Sequence, residues 1–442
     1  VRRHHEVLEM ITAALATLVA GLSLMLPNGF RWTSQTSVLQ LDMLAASQPR
    51  AIAAGAVVAL IVAVFATTVN HALAAWGSAL CGAVIMFGAH VLAETEDQSI
   101  APATLNYLDS LAGGILLGGI AVAVLRGWWQ VFGWTLGALS AVVFGQLGST
   151  STGDAQAGLP SAPGWSTTSL PPLWLITLTT VLIVVGLIVN RHQDRVERRS
   201  VELPMAPIVA GLVFVIVQLF AGEWLARHAD SLGRIVVAAT LTVVTAVLAA
   251  LLLPRRDGML ILLAVALTAV GSALIPARLP VWSVAPLVVL IGIGIVAGFR
   301  RPGPMLAIAV LAALALYCAL TADHRIDGGV QAAVLSGLLA LVGGYCFGGT
   351  APRYNPTRVL GVAIIFVPSV VTALRKRLGR EQFVTEPGHW YLNPAPAMSS
   401  SQPFWVALGI TAGCAVGLLA LRWWRPPSRP TAKAEPTEPP AP

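Results

Sequence analysis

Fourteen apolar runs, joined by short polar links, occupy most of the chain: residues 10–27, 51–69, 72–93, 108–125, 128–147, 172–190, 205–222, 235–253, 259–276, 281–299, 304–322, 328–349, 359–374 and 404–421. A helix needs roughly 20 apolar residues to cross the hydrocarbon core of a bilayer, and each run reaches or nearly reaches that length. Lipid offers no partner to a backbone N–H or C=O, so such segments must satisfy these groups internally. None shows the alternating pattern, about ten residues long, of a membrane barrel. The predicted fold class is all-α: a polytopic transmembrane helical bundle of about 14 spans.

Composition points the same way. Of the 442 residues, 56% are hydrophobic and 11% charged, whereas soluble domains average roughly 25% charged residues. This excludes a soluble enzyme, a nucleic-acid-binding domain and a disulfide scaffold. The lipid bilayer is the expected partner, and a bacterial inner membrane the expected location. A net charge of +7 fits the basic cytoplasmic loops of a polytopic protein and needs no nucleic acid. Lys376 and Lys433 are the only lysines beside abundant Arg, a usage typical of GC-rich, actinobacterial genomes. Cys81, Cys318, Cys346 and Cys414 all fall within apolar runs, where they read as small buried residues.

With a cytoplasmic N-terminus and 14 crossings, 17 basic residues fall inside and 10 outside, the bias that sets orientation. Both termini are therefore placed in the cytoplasm. Arg2, Arg3, His4 and His5 precede a first run that reads as a retained span. One cluster, Arg375, Lys376, Arg377 and Arg380, falls outside, just after the short run that contains Pro368. From residue 426 the chain is rich in Pro, Thr, Ala and Glu, with too little apolar bulk to recover its ordering entropy, so 426–442 is expected to be a disordered tail.

Among the 27 basic and 20 acidic residues none falls near the middle of a run. Asp109, His90 and Glu223 come nearest, each within a turn or so of an outer end. Glu94, Glu96, Asp97 and Asp109 crowd one outer loop that holds no basic residue. The candidate transport residues are Asp109, Glu94 and His90 at that outer mouth, with the neutral groups Gln218, Gln146, Tyr317, Gln331 and Tyr345 inside the runs. Asp109 is the candidate for energy coupling; the simpler alternative is an interfacial residue or helix cap for Asp109 and an interfacial or hydrogen-bonded histidine for His90. No phosphate loop, metal motif or nucleophile elbow occurs. No catalytic, cofactor-binding or metal-binding residue is expected, and no cofactor.

Three G-x-x-x-G spacings, Gly114 with Gly118, Gly133 with Gly137 and Gly294 with Gly298, read as close packing within the chain. Pro286 and Pro368 lie inside apolar runs and mark sites where a helix could kink.

The first six runs end in a basic link, 191–204, and a second set follows at 205–349. In each set the fourth and fifth runs are joined by a tight basic turn, Arg126 to Trp129 in one and Arg300 to Gly303 in the other. In this arrangement the chain resembles the major facilitator superfamily, with residues 1–190 and 205–349 as six-helix halves, two additional C-terminal helices in 350–425, and the tail. The link between the second and third runs is Val69, Asn70, His71 and Ala72, where that family usually carries a charged Gly, Asp, Arg-type loop. The resemblance implies a transporter or exporter working by alternating access, and the neutral polar groups imply a small neutral or amphipathic substrate. The alternative is a non-transporting membrane subunit or scaffold of cell-envelope assembly. A polar cavity between the halves would favour the first, and a filled, dry boundary the second.

Overall fold

The computed structural model describes residues 2–25, 38–69, 71–94, 102–148, 171–191, 205–228, 231–254, 256–274, 281–321, 329–350, 352, 354–378, 383–386, 389–392 and 401–425. The tail, most of the basic link and the loop that carries Glu96 and Asp97 lie outside these residues.

The helices follow the apolar runs. They are α1 (Arg2–Met25), α2 (Val38–Val69), α3 (Ala72–Glu94), α4 (Pro102–Val124), α5 (Trp128–Gly148), α6 (Leu173–Asn190), α7 (Ala206–His228) and α8 (Leu232–Leu252). Then come α9 (Gly258–Leu274), α10 (Val284–Arg300), α11 (Pro304–Thr321), α12 (Gly329–Gly349), α13 (Asn355–Phe366), α14 (Val370–Leu378) and α15 (Gln402–Trp424). Eleven spans are at least 18 residues long and apolar enough to cross a membrane, with 355–374 taken as one. The shorter α9 and α10 have 17 residues each, and α5 has 21 with Trp and Gln near its start. The molecule is a multi-pass membrane protein of about 14 spans. Among the described residues one element is not helical: β1 (Phe383–Glu386) and β2 (His389–Leu392) form an antiparallel hairpin between α14 and α15.

Small residues set the tightest helix crossings. A Cβ on Gly114 or Gly118 would strike the α2 backbone at Gly55 or Ala59, and one on Gly133 or Gly137 the α1 backbone at Met10 or Ala14. On α10, Gly294 and Gly298 meet the α12 backbone at Leu341 and Tyr345, while Gly344 and Gly348 of α12 meet Ile291 and Ile295 in return. All three sequence motifs therefore act within the chain. In lipid, helices gain little from burying apolar surface, and close approach of backbones supplies the dispersion contacts instead.

The pairing of helices repeats, but not where the sequence placed the repeat. In the first unit α1 packs on α5, α4 and α6, α2 on α4, and α3 on α4 and α6. The same scheme returns when α9 is read as the first helix: α9 packs on α13, α12 and α15, α10 on α12, and α11 on α12 and α15. The second unit thus starts at α9, and the additional pair is α7 with α8, packed on each other between the units. The boundary at residue 205 and the two appended C-terminal helices are corrected accordingly. The units meet through α2 against α13 and α5 against α10. Hydropathy and loop length look alike on either side of residue 205, and only helix contacts distinguish an inserted pair from an appended one.

Pro368 breaks its span. Helix α13 stops at Phe366 and α14 resumes at Val370, because proline supplies no N–H to the preceding turn. Pro286 does not kink anything: it lies in the first turn of α10, where no intrahelical bond is lost. Pro49 is enclosed within α2.

Candidate functional site

Helix α4 is deeply enclosed, with 78% of its most apolar 18-residue stretch buried. It starts at Pro102, six residues before the apolar run does, so Asp109 sits seven residues into the helix, about 10 Å along its axis. Asp109 is therefore not a vestibule carboxylate at the helix end. It is fully enclosed at 0% exposure, and His90 of α3 faces it at 2%. His90 Nδ1 lies 3.5 Å from Asp109 Oδ1 and 3.1 Å from the Met86 carbonyl oxygen. A carbonyl can only accept, so in the neutral ring Nδ1 carries the hydrogen and Nε2 is the basic nitrogen.

The surroundings of the pair are polar but incompletely bonded. Ser23 of α1 donates to the Asp109 backbone carbonyl at 2.7 Å. Asn106 lies one turn before Asp109 on the same face of α4, Ser110 is the next residue along the helix, and both are buried. The carboxylate oxygens of Asp109, the Asn106 amide nitrogen and the Ser110 hydroxyl make no hydrogen bond among the described residues. Buried polar groups are nearly always satisfied, and ionisable groups inside a membrane span are costly and tend to be functional. The cluster is the candidate site. Sequence reasoning found Asp109 and His90 but not their pairing, nor Ser23, Asn106 and Ser110. The signal for the last two was polar residues within one helical turn of Asp109, Asn106 just before the apolar run and Ser110 inside it.

The other candidates do not join it. Gln218 of α7 is buried and accepts a 3.0 Å bond from Thr242 of α8. Tyr317 is 47% exposed on the outside of the bundle, where its hydroxyl accepts from Gln331. Tyr345 donates to the Arg301 carbonyl at 2.7 Å, which closes the end of α10. The side chains of Glu94 and Gln146 lie outside the described residues, although their backbones close α3 and the last turn of α5. Glu223, near an outer end, forms a bidentate pair with Arg50 at 2.7 and 3.0 Å, tying α7 to α2. A second buried acid was missed: Glu9, two turns into α1, accepts from Gln130 of α5 at 3.0 Å and lies 3.3 Å from His5.

Where the two units meet, the described residues are closely packed. One apolar core runs from Ala13 to Leu421 through both of them. A cavity of about 20 Å³ lies between α5 and the second unit, lined by Trp134, Thr135, Leu260, Phe347 and Arg358 among others. That is room for little more than a water molecule.

The fold has known counterparts. The xylose transporter XylE from E. coli, in a partially occluded inward-open conformation, superposes with a TM-score of 0.50 at 13% identity over 96% of this chain and all of that one. An auto-inhibited POT family peptide transporter gives 0.48 at 13% identity, covering 98% and 99% of the two chains. The outward conformation of the major facilitator transporter FucP gives 0.44 at 16%, covering 94% and 97%. No family model and no curated protein sequence matches. The chain thus shares the polytopic fold of XylE.

Proposed function

We propose that the protein is a membrane transporter that moves a small neutral or amphipathic molecule by alternating access, with the His90–Asp109 pair as its proton-binding site. The carrying observation is the buried imidazole and carboxylate 3.5 Å apart inside a span. Gain or loss of one proton by the pair changes its net charge by one, whichever of the two groups carries the proton. The two states differ in local charge at the packing of α3 on α4 with α1, so each biases that packing differently. The broader reading is supported by a fold that serves transport in XylE and by the repeated unit on either side of α7 and α8. Substrate binding at the boundary of the units requires them to part from the filled arrangement.

The test is transport into proteoliposomes under an imposed pH gradient, scored over a panel of labelled neutral and amphipathic solutes. Gradient-driven accumulation of a solute by the wild type, lost in Asp109→Asn with unchanged thermal stability, is expected. Equal accumulation by both proteins would remove the pair from coupling.

The filled boundary favours a second reading, a membrane subunit that does not transport. A single cysteine in place of Leu260, in a chain freed of native cysteines, separates the two. Labelling by a membrane-impermeant maleimide speaks for alternating access; complete protection from both sides speaks for a static subunit.

A further inference from the structure

The two tight basic turns of the sequence come together at one end of the bundle. Trp128, at the start of α5, meets Phe299, near the end of α10, edge to face with ring centroids 6.5 Å apart, and its ring lies 3.7 Å from that of Trp129. Arg126 precedes this aromatic group by two residues, and Arg300 and Arg301 follow Phe299 directly. All three arginines are exposed, as are Trp128 at 52% and Trp129 at 44%. Among the described residues no carboxylate pairs with Arg300 or Arg301. Glu9, whose charge reaches Arg126, is buried on α1 and bonded to Gln130, so the patch keeps an excess of positive charge. Beside it the seam of α5 and α10 is apolar: Phe132 and Leu136 lie against Gly292, and Ile293 is 52% exposed.

A bias of basic residues toward the cytoplasmic side sets orientation. It does not by itself bring links from two units to one point, or pair them with stacked tryptophans. Guanidinium groups hold a phosphate through paired N–H donors, and indole rings sit at the headgroup level of a bilayer. Basic pockets between spans on the cytoplasmic side take anionic headgroups. We propose that the α4–α5 and α10–α11 turns bind one anionic phospholipid, with its phosphate between Arg126 and the Arg300–Arg301 pair, its glycerol against Trp128 and Trp129, and an acyl chain along the seam of α5 and α10. A lipid seated there ties the first unit to the second at one end only. Its opposing the opening of that end rests on the alternating-access reading; its binding does not.

The test is native mass spectrometry of the full chain in detergent, titrated with phosphatidylglycerol and, separately, with phosphatidylcholine of the same acyl chains. A single bound phosphatidylglycerol, held at least about tenfold more tightly than phosphatidylcholine, is expected. Arg126→Gln should weaken it about fivefold, and Arg300→Gln combined with Arg301→Gln about 25-fold. Arg191→Gln, which removes an exposed arginine at the end of α6, should leave it unchanged. These changes are at exposed side chains, so the unfolding midpoints without lipid should match that of the wild type. Equal affinity for the two lipids, or phosphatidylglycerol binding unaltered in both turn variants, would overturn the assignment and leave an ordinary basic rim.

Discussion

Replacing Gly114 with alanine tests whether helix spacing, rather than helix propensity, governs this bundle. A Cβ at Gly114 would overlap the carbonyl oxygen, carbonyl carbon and Cα of Gly55 on α2, all of them backbone atoms that cannot rotate away. Helices α2 and α4 would have to separate, and overpacking of this kind costs about 1–3 kcal/mol. Alanine also gains about 0.8–1.0 kcal/mol over glycine from helix propensity. Gly88, on α3, is the internal control, because a Cβ there meets nothing within 4 Å. Gly88→Ala should collect the propensity gain alone, so the two variants should differ by about 1–3 kcal/mol, with Gly114→Ala the less stable. Steric trapping in bicelles, or thermal unfolding in one detergent, measures the difference. Equal stabilities, or the reverse order, would show that α2 and α4 are not held at the distance described.

Arg50→Gln should cost less than about 1 kcal/mol despite the bidentate geometry, because Arg50 is half exposed and its pair with Glu223 is screened. The exchange of Arg50→Glu with Glu223→Arg should restore what the single change loses, as read by thermal unfolding at low salt. Arg425→Gln should cost about 1–3 kcal/mol, since the guanidinium donates to the Leu253 and Leu251 carbonyls at 2.6 and 2.9 Å and so fastens the end of α15 to the turn after α8; an unchanged midpoint would dismiss that fastening. Reporter fusions after Arg199 and after Leu421 should both read cytoplasmic, and an external second reporter would mean that the span broken at Pro368 does not cross.

Much of the molecule is written in its sequence, because the bilayer leaves so few choices. Length and apolarity identified the spans, since lipid-exposed backbone must close its own hydrogen bonds, and Gly114, Gly133 and Gly294 announced tight crossings because only a missing side chain lets backbones touch. Pro368 announced its break for an equally local reason, the missing N–H. Which helices those glycines approach is not a local property. Nor is the fact that α9 repeats the role of α1, which moved the additional helix pair from the C-terminal end to the middle. The site shows the same division. Asp109 was visible as an acid near an apolar run, but its depth depends on α4 beginning at Pro102, and its partner His90 is on another helix. Tyr317, Gln331 and Gln218 looked equivalent to one another in sequence, yet the first two bond to each other on the outside of the bundle while Gln218 is enclosed between α7 and α8. A polar residue in a helix can face lipid, a neighbouring helix or a cavity, and rotation about the helix axis decides among them through packing that only the assembled bundle supplies.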